Sequence, residues 1–420
     1  MYQKYSLDNG LRLITSKIPS THSVSLVLFI GVGSCYEIES KAGISHFVEH
    51  LCFKGTSKRQ SAKEISEAIE ATGGIINAGT DKELTVYWCK VASKHLFLAL
   101  DVIADMTMNS RFDAIDVDLE RKVIIDEINL SLDSPQQRVG MMIDEIIWKG
   151  QPLGRDVAGR RESVSALTRQ QILDFYAKHY LPNNAVISIA GDIEHEQVKK
   201  AVENVFNDWK PGDIKPRFLS NYEQKAPELF VEIRNTEQMH LCLGVPGLCL
   251  FDDDRFAIDL LNVILGEGMS SRLFVELREK QGLAYEIYST VDHFMDSGSM
   301  IIHAGIDPGR MEDALLVILD QLSLLRNDIS ETDLSRAKEM VKGRLLLTLE
   351  NNRNLANWVG VQEILTEKIL DLDDLIAQID IVTLDDLFRV AQQTLRDDRL
   401  NLAIIGPVEG KKSLDDILKF

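Results

Sequence analysis

The chain has 420 residues, of which 45% are hydrophobic and 26% are charged, a balance typical of soluble globular proteins and unlike fibrous or wholly disordered chains. Its length suggests roughly two to three domains. The net charge of -19 excludes nucleic acid and anionic membranes as expected partners, because both are polyanions that attract basic surfaces.

The N-terminal half begins with strand patterns and continues with helical ones. Alternating apolar residues over 5–18, interrupted by an Asp-Asn-Gly turn, predict a hairpin, and 23–30 is typical of a buried strand. Adjacent strands followed by runs of helices favour an α+β fold. Periodicity predicts a helix from about residue 43, further helices over 61–71, 94–108, 113–132 and 168–179, and strands over 75–78 and 84–91.

A polar segment rich in proline and glycine, without sustained periodicity, divides the chain near its middle. We interpret 211–226 as a linker between an N-terminal domain, 1–210, and a C-terminal domain, 227–420. A linker near the middle of the chain prompts a search for duplication.

Two stretches of the chain, 168–193 and 383–408, align without a gap at an offset of 215 residues. In both, a polar helix start leads through an amphipathic helix into an apolar strand that ends in glycine. The match indicates two homologous α+β domains, and a chance likeness between two helix-then-strand units is the alternative.

The cellular compartment and the state of the cysteines are inferred from segments and spacings that the sequence does not contain. No run of eighteen apolar residues occurs and no apolar signal core precedes the first hairpin, so we expect a cytoplasmic protein that does not enter membranes. The cysteines are odd in number and have no C-x-x-C spacing, which predicts buried free thiols rather than disulfides or a thiolate metal site. They are Cys35, Cys52, Cys89, Cys242 and Cys249.

An H-x-x-E-H motif begins at His46 and ends at His50. The histidines are four positions apart, so on a helix both imidazoles project from one face and can share a metal ion. Glu49 lies on the same side, where its carboxylate can reach water at the metal, as zinc-assisted hydrolysis requires. The alternative is a helix with two ordinary histidines and a solvated glutamate. With nine histidines in the chain, such a string arises by chance in roughly one or two chains per hundred.

A catalytic zinc ion takes three protein ligands and keeps a fourth position for water, so the two histidines need a further donor. Positions 120, 123, 124 and 127 form one predicted helical stripe that is apolar in its centre and has glutamates at both ends. Carboxylates on an apolar stripe are costly to bury without a positive partner, which favours Glu127 or Glu120 as third ligand. The alternative is that both acids extend into water.

The motif and its surroundings resemble the insulinase and pitrilysin family of zinc peptidases, the inverted zincins, and within it the branch of the mitochondrial processing peptidase and its short bacterial relatives. In that family a ligand glutamate follows the second histidine by 77 positions, which implies Glu127 as third zinc ligand beside His46 and His50. A glutamate seven positions earlier implies a supporting catalytic role for Glu120. Cys52 departs from the branch, which more often has a larger apolar residue there.

The resemblance also implies where substrate binds. The segment 73–80 resembles the family's substrate strand, which implies that Asn77 and Ala78 pair with a peptide backbone. Without the family, an ordinary Gly-Gly turn into a hairpin is the favoured interpretation. Arg278 and Tyr285 match the family's arginine and tyrosine pair, which implies that they hold substrate and polarise its carbonyl. By pattern alone they are structural residues.

The architecture implied by the family is two homologous α+β domains, each an antiparallel-rich sheet with helices packed on it, facing each other across a chamber. The offset of 215 carries the motif onto Leu261, Ile264 and Leu265, so the second domain is expected to bind no metal. One Zn²⁺ per chain is therefore expected.

We expect a zinc-dependent endopeptidase that cleaves peptides or unfolded polypeptide segments, with Glu49 as general base. A non-catalytic scaffold or partner subunit, as some relatives are, and a dedicated protease for one precursor are the alternatives. The chain keeps His46, Glu49, His50 and Glu127. It has only Gly266 and Gly268 where the zinc-free processing partner carries an extended glycine-rich loop. Because the metal half and the arginine–tyrosine half occur in one chain, we expect a homodimer.

Overall fold

The computed structural model describes residues 2–408, 414 and 417–419. Its strands are β1 (Gln3–Ser6), β2 (Arg12–Lys17), β3 (Ser23–Ile30), β4 (Ile75–Thr80), β5 (Thr85–Ala92), β6 (Ala185–Gly191), β7 (Glu228–Ile233), β8 (Met239–Pro246), β9 (Ala284–His293), β10 (Gly298–Ile306) and β11 (Asn401–Gly406). These strands include both segments predicted for the first hairpin and the buried strand over 23–30.

The helices are α1 (Ile44–Cys52), α2 (Ala62–Glu70), α3 (Leu96–Met108), α4 (Ala114–Asp133), α5 (Pro135–Ile147), α6 (Arg161–Ala166), α7 (Arg169–His179), α8 (His195–Phe206), α9 (Arg255–Gly266), α10 (Met311–Leu325), α11 (Glu331–Leu349), α12 (Asn352–Thr366), α13 (Leu372–Ile381) and α14 (Leu384–Thr394). A further segment, Phe274–Lys280, is wound as a π-helix. Among the described residues, no helix has both the length and the apolar character needed to cross a bilayer.

Two compact units divide the chain, and each contains one sheet. The first unit comprises 1–128, 156–218 and 346–371, and the second unit comprises 129–155, 219–345 and 372–420. Four of the five cysteines are buried, Cys249 is partly exposed, and none of the five forms a disulfide with another described residue, as predicted.

The sheet of the first unit has the strand order β1-β2-β6-β3-β5-β4. Its neighbours are antiparallel except for β2 and β6, and β4 forms one edge. Val27 and Phe29 of β3 pack with residues of α12, while Leu26 and Leu28 point to the opposite face. Because helices cover both faces, β3 is a nearly continuous run of buried residues rather than an alternating one.

The sheet of the second unit has the order β7-β11-β8-β10-β9, with β7 and β11 parallel and the other pairs antiparallel. Without β1, the first sheet has the same succession of pairs. Thr168 and Thr383 begin the equivalent helices α7 and α14 with the same reciprocal capping hydrogen bonds. The shared topology confirms the predicted α+β fold with two related halves.

The two compact units differ from the contiguous domains 1–210 and 227–420, because each unit takes a helix from the other half of the chain. Helix α5, which precedes the linker, packs on β8 and β11 of the second unit. Its Ile143 and Ile147 lie against Gly244 of β8, where the lack of a side chain makes room for them.

Helix α12 is the corresponding helix of the first unit. Gly360 lies so close to the ring of Phe29 that a Cβ there would be 2.1 Å from a ring carbon. The buried Glu363 contacts Nζ of Lys4 at 2.7 Å and the guanidinium of Arg12 at 3.3 Å, which attaches α12 to the first hairpin.

Residues 209–227 contain no helix or strand, and the division between the units falls within the predicted linker, after Phe218. Arg217 pairs with the buried Glu83 of the first unit at 3.0 Å. Ser220 hydrogen-bonds Asp296 of the second unit. The linker is therefore held by side chains rather than free in solvent.

Candidate metal centre

Helix α1 begins at a turn that requires glycine. Gly43 has a φ of +92°, and a Cβ there would lie 2.4 Å from the carbonyl oxygen of Ala158. The buried Glu37 carboxylate accepts hydrogen bonds of 2.8 Å from the N–H groups of Gly43 and Ser45, which satisfies donors at the start of the helix. The apolar residues of α1 are buried, and this packing orients the histidines of the motif.

His46 and His50 project from α1 toward Glu127 of α4. Their Nε2 atoms are 3.1 Å apart, and Oε2 of Glu127 lies 3.8 Å from Nε2 of His46 and 3.6 Å from Nε2 of His50. Ligand atoms around a tetrahedral zinc ion are roughly 3.4 Å apart, given metal–ligand bonds of about 2.0–2.2 Å. The three side chains therefore fit one zinc ion, and no other such group of three occurs among the described residues.

Glu120 contacts His50 through the other ring nitrogen. Its Oε2 lies 3.0 Å from Nδ1 of His50, and its Oε1 lies 2.6 Å from Nζ of Lys54. A histidine that donates from Nδ1 to a carboxylate presents the lone pair of Nε2 to a metal. The structure therefore separates the two glutamates that the residue pattern left open: Glu127 meets both Nε2 atoms, and Glu120 meets Nδ1.

The predicted stripe on α4 is buried at two of its four positions. Glu120 and Ile124 are buried, and Glu127 is partly exposed where it meets the histidines. Val123 is 43% exposed instead. The reason is its angular position, about 60° from Glu120 around the helix on the side away from the core.

Glu49 is buried on α1 and is held by the edge strand. Its Oε2 accepts a hydrogen bond of 2.8 Å from the hydroxyl of Thr80, the last residue of β4. Burial raises the pKa of Glu49, although the hydrogen bond from Thr80 and the nearby His50 act in the opposite direction. A carboxylate with a raised pKa is suited to take up and release a proton near neutral pH.

The two histidines differ in proton affinity. Burial lowers the pKa of His46 to about 4, and the neighbouring His50 adds to the effect. Burial acts on His50 in the same direction, but its hydrogen bond to Glu120 and the charges of Glu127 and Glu49 outweigh it and raise its pKa. The pKa of Glu120 is lowered, because His50 and Lys54 outweigh the effect of burial.

Comparison with known proteins places this geometry in a family. Residues 12–161 match the family described as Insulinase (Peptidase family M16), and residues 166–341 match the Peptidase M16 inactive domain. An uncharacterized zinc protease of Streptomyces coelicolor is 38% identical, over 98% of this chain and 91% of its own length. The chain belongs to peptidase family M16.

Solved structures share the M16 fold. A protease from Helicobacter pylori has a TM-score of 0.91 at 24% identity, covering 97% of this chain and 99% of that one. A chain of Complex III2 from Candida albicans has a TM-score of 0.86 at 19% identity, covering both chains fully. At these identities the likeness concerns the fold.

The half that matches the M16 inactive domain carries apolar residues in place of the motif. Leu261, Ile264 and Leu265 are buried in α9, the helix at the position equivalent to α1. Within the described residues, the convergent metal-type side chains belong to the first unit.

Asn77 and Ala78, the residues of this M16 chain that are predicted to bind substrate, lie on β4. This strand pairs with β5 and forms one edge of the sheet. Asn77 is exposed, and its Oδ1 accepts a hydrogen bond of 2.8 Å from the N–H of Ala78. Ala78 shares its strand face with Thr80, whose hydroxyl contacts Glu49. The edge therefore runs beside the motif helix.

Arg278 and Tyr285 come together in the second unit. Arg278 belongs to the π-helical segment, and its guanidinium carbon lies 4.9 Å from the ring centre of Phe274 and 5.0 Å from that of Tyr285. Tyr285 opens β9 and is 76% exposed. An exposed tyrosine oriented by an arginine is suited to contact a ligand, and π-helical turns are frequent at functional sites.

Two contacts of the centre were not predicted from the sequence, those of Lys54 and Thr80. Lys54 stands four positions after His50, the same spacing that separates the histidines, so helical periodicity could have indicated it. Thr80 has no comparable signal, since its contact with Glu49 joins an edge strand to a distant helix.

Proposed function

We propose that this chain is a zinc-dependent endopeptidase that cleaves peptides or unfolded polypeptide segments. The observation that carries the proposal is the convergence of His46, His50 and Glu127, which leaves one position of a tetrahedral site for water. A bound zinc ion supplies Lewis-acid chemistry, which polarises a carbonyl and acidifies water. The relatives that are named as zinc proteases support the same metal.

Glu49 is the general base in this proposal. Its Oε2 accepts the Thr80 hydroxyl, so we assign proton transfer to Oε1. Oε1 takes a proton from the attacking water as the new carbon–oxygen bond forms, and passes it to the amine nitrogen as the carbon–nitrogen bond breaks. The raised pKa of Glu49 favours both steps near neutral pH.

His50 and Glu120 prepare the site for this reaction. Glu120 accepts from Nδ1 of His50, which keeps Nε2 aimed at the metal position, 3.6 Å from Oε2 of Glu127. Because Glu120 is buried, its contacts are shielded from competing water.

Substrate is proposed to bind through main-chain pairing. Asn77 and Ala78 lie on a sheet edge, where backbone groups can add an extended peptide as a further strand with little side-chain selectivity. Arg278 and Tyr285 are proposed to hold the substrate and to polarise its carbonyl, a role that an exposed, oriented tyrosine hydroxyl can serve.

A non-catalytic subunit is the second candidate, because a chain of Complex III2 shares the fold and the second half matches an inactive domain. The buried carboxylates of Glu49 and Glu120 favour catalysis instead. A scaffold gains nothing from burying two ionisable groups beside a pair of histidines, since such burial costs free energy.

The direct test is hydrolysis of a mixed fluorogenic peptide library by the purified protein. We expect cleavage after zinc loading, loss of cleavage with a chelator, and recovery when zinc is restored. Cleavage of many sequences indicates a general peptidase, and cleavage of a single sequence indicates a dedicated precursor protease. Zinc-loaded protein that binds the metal but cleaves no peptide in the library supports the scaffold.

We also propose that the chain acts as a homodimer, because it carries both the metal motif and the arginine–tyrosine pair and so needs no second kind of chain. The compartment that we propose is the cytoplasm. Light scattering on the purified protein is expected to give twice the monomer mass of 47.3 kDa. A monomer at working concentration would rule out the dimer without affecting the metal site.

A further inference from the structure

We propose that Lys54 is a positioning residue of the metal centre, acting on His50 through Glu120. This inference rests on the proposed zinc site. Lys54 follows the end of α1, where its N–H bonds the carbonyl of Leu51 at 3.1 Å. One helical turn after His50, its side chain extends in the same direction and meets the same carboxylate.

The Glu120 carboxylate is divided between these two partners. Oε1 contacts Nζ of Lys54 at 2.6 Å, and Oε2 contacts Nδ1 of His50 at 3.0 Å. The Glu120 side chain is only 6% exposed, so water can replace a lost partner only poorly. Lys54 thereby fixes the rotation of the carboxylate that directs Oε2 at the histidine.

Of the two histidines, His50 is the one whose ring is oriented by a residue that is not itself a proposed zinc ligand. Nδ1 of His46 is buried and has no hydrogen-bond partner among the described residues, so that ring has no polar contact outside the ligand set at Nδ1. The contacts that orient the histidine pair from outside the ligand set therefore link Lys54 to Glu120 and Glu120 to His50. Such outer partners fix the ring and the tautomer of a metal-binding histidine.

Positioning and simple electrostatics give opposite expectations for removing Lys54. Loss of a positive charge near a cation site tightens metal binding if Coulomb repulsion dominates. Loss of the contact that orients Glu120 weakens metal binding if positioning dominates. The sign of the change in zinc affinity therefore decides between them.

The test measures the zinc dissociation constant of the full-length protein by competition with a chromophoric chelator. Lys54→Met is expected to weaken zinc binding by about 10-fold, the low end of the range for partners outside the ligand set. Lys54→Gln is a second variant in case the first is unstable. Lys54→Arg, which keeps a donor for Oε1, is expected to recover part of the affinity. Unchanged or tighter binding in both neutral variants overturns the proposal.

The matched control is Lys58, four positions further along. Its Nζ contacts Asp101 at 2.5 Å and 2.6 Å, and its side chain is 57% exposed. Lys58→Met is the same substitution as Lys54→Met and removes an ammonium group from an ion pair that does not involve Glu120. Its zinc affinity is expected to stay that of the wild type. Equal weakening by both variants would show that the loss does not depend on the contact with Glu120, and would overturn the positioning role.

A double variant and a spectrum separate positioning from a structural contribution. In a Glu120→Gln background, Lys54→Met is expected to cause little further loss of zinc affinity, because both changes interrupt one chain of contacts. The visible spectrum of the cobalt-substituted protein is expected to change in Lys54→Met and not in Lys58→Met. If the two single losses add fully, or Lys54→Met lowers only the melting temperature, the proposal is wrong.

Failure of this inference is distinguishable from failure of the proposed function. A wild-type protein that binds no zinc refutes the metal site itself. A wild-type protein that binds zinc and cleaves peptides, together with unaltered zinc affinity in both neutral Lys54 variants, refutes only the role of Lys54.

Discussion

His50 uses its two ring nitrogens for different partners, and its neighbour His46 does not. Nδ1 of His50 meets Glu120, which raises its proton affinity, whereas burial lowers the pKa of His46 to about 4. At neutral pH His46 is therefore uncharged and can bind a metal ion directly. A protonated His50 must lose its proton before it can bind the metal.

Zinc affinity should accordingly depend on pH through one histidine. The raised pKa of His50 means that affinity falls as pH drops through that pKa, while His46 stays neutral down to about pH 4. Between pH 5 and 6, above the pKa of His46 and below the ordinary pKa of histidine, we expect the logarithm of the zinc association constant to rise by about one per pH unit. Chelator competition measures this slope. A slope of two would show that both histidines titrate in this range.

Tyr285 allows a test that keeps its aromatic ring. Tyr285→Phe preserves the contact with Arg278, 5.0 Å from the ring centre, and removes only the hydroxyl. If that hydroxyl polarises the substrate carbonyl, kcat should fall by about 100-fold with little change in KM. Tyr288→Phe on the same strand, whose ring stacks on His303, is the control. Equal kcat values for wild type and Tyr285→Phe would remove the proposed role.

The residues of the metal centre were predictable where side chains that can bind a metal stand at helical spacing in the sequence. His46, Glu49 and His50 stand within one helical turn, so periodicity placed them together. Glu127 and Glu120 lie far along the chain, and the residue pattern alone could not separate their roles. That separation depends on how α4 is rotated against α1, which only packing determines.

At the scale of elements, α12 must approach its sheet very closely. A Cβ at Gly360 would be 2.1 Å from the fully buried ring of Phe29, so Gly360→Ala forces either the ring or the helix to move. We expect a loss of stability of about 1–3 kcal/mol, measured by chemical denaturation. A variant as stable as the wild type would show that the helix does not pack there.

Gly140 of α5 is the matched control for Gly360. It lies in the equivalent helix of the second unit, and nothing is within 4 Å of a Cβ built there. Gly140→Ala is expected to leave stability unchanged or to raise it by up to about 1 kcal/mol, because alanine favours the helix.

The elements themselves were largely predictable, and their assignment to sheets was not. Turn residues and periodicity located the first hairpin, β3 and α1 within a few residues. Periodicity shows that a helix has an apolar face, but not which sheet that face covers. The exchange of α5 and α12 between the two halves of the chain follows from complementary packing, as at Gly360 and Phe29, and left no mark in the local pattern.

At the scale of the whole molecule, duplication has produced two sheets of the same topology with different chemistry. In the first unit, α1 carries the histidine motif, whereas in the second unit α9 presents buried leucine and isoleucine at the equivalent positions. The gapless offset of 215 residues was visible in the sequence because the helix and strand lengths over that stretch are preserved. The second unit instead carries the Arg278 and Tyr285 pair.

The number of zinc ions bound per chain, measured by mass spectrometry of the metal after zinc loading and desalting, tests the account most directly. We predict one zinc ion per chain in the wild type, in Glu49→Gln, which also loses turnover, and in Asp126→Asn, the exposed neighbour of the third ligand. We predict close to none in His50→Ala and Glu127→Gln. A wild-type protein without zinc, or a Glu127→Gln protein with a full complement, would contradict the account.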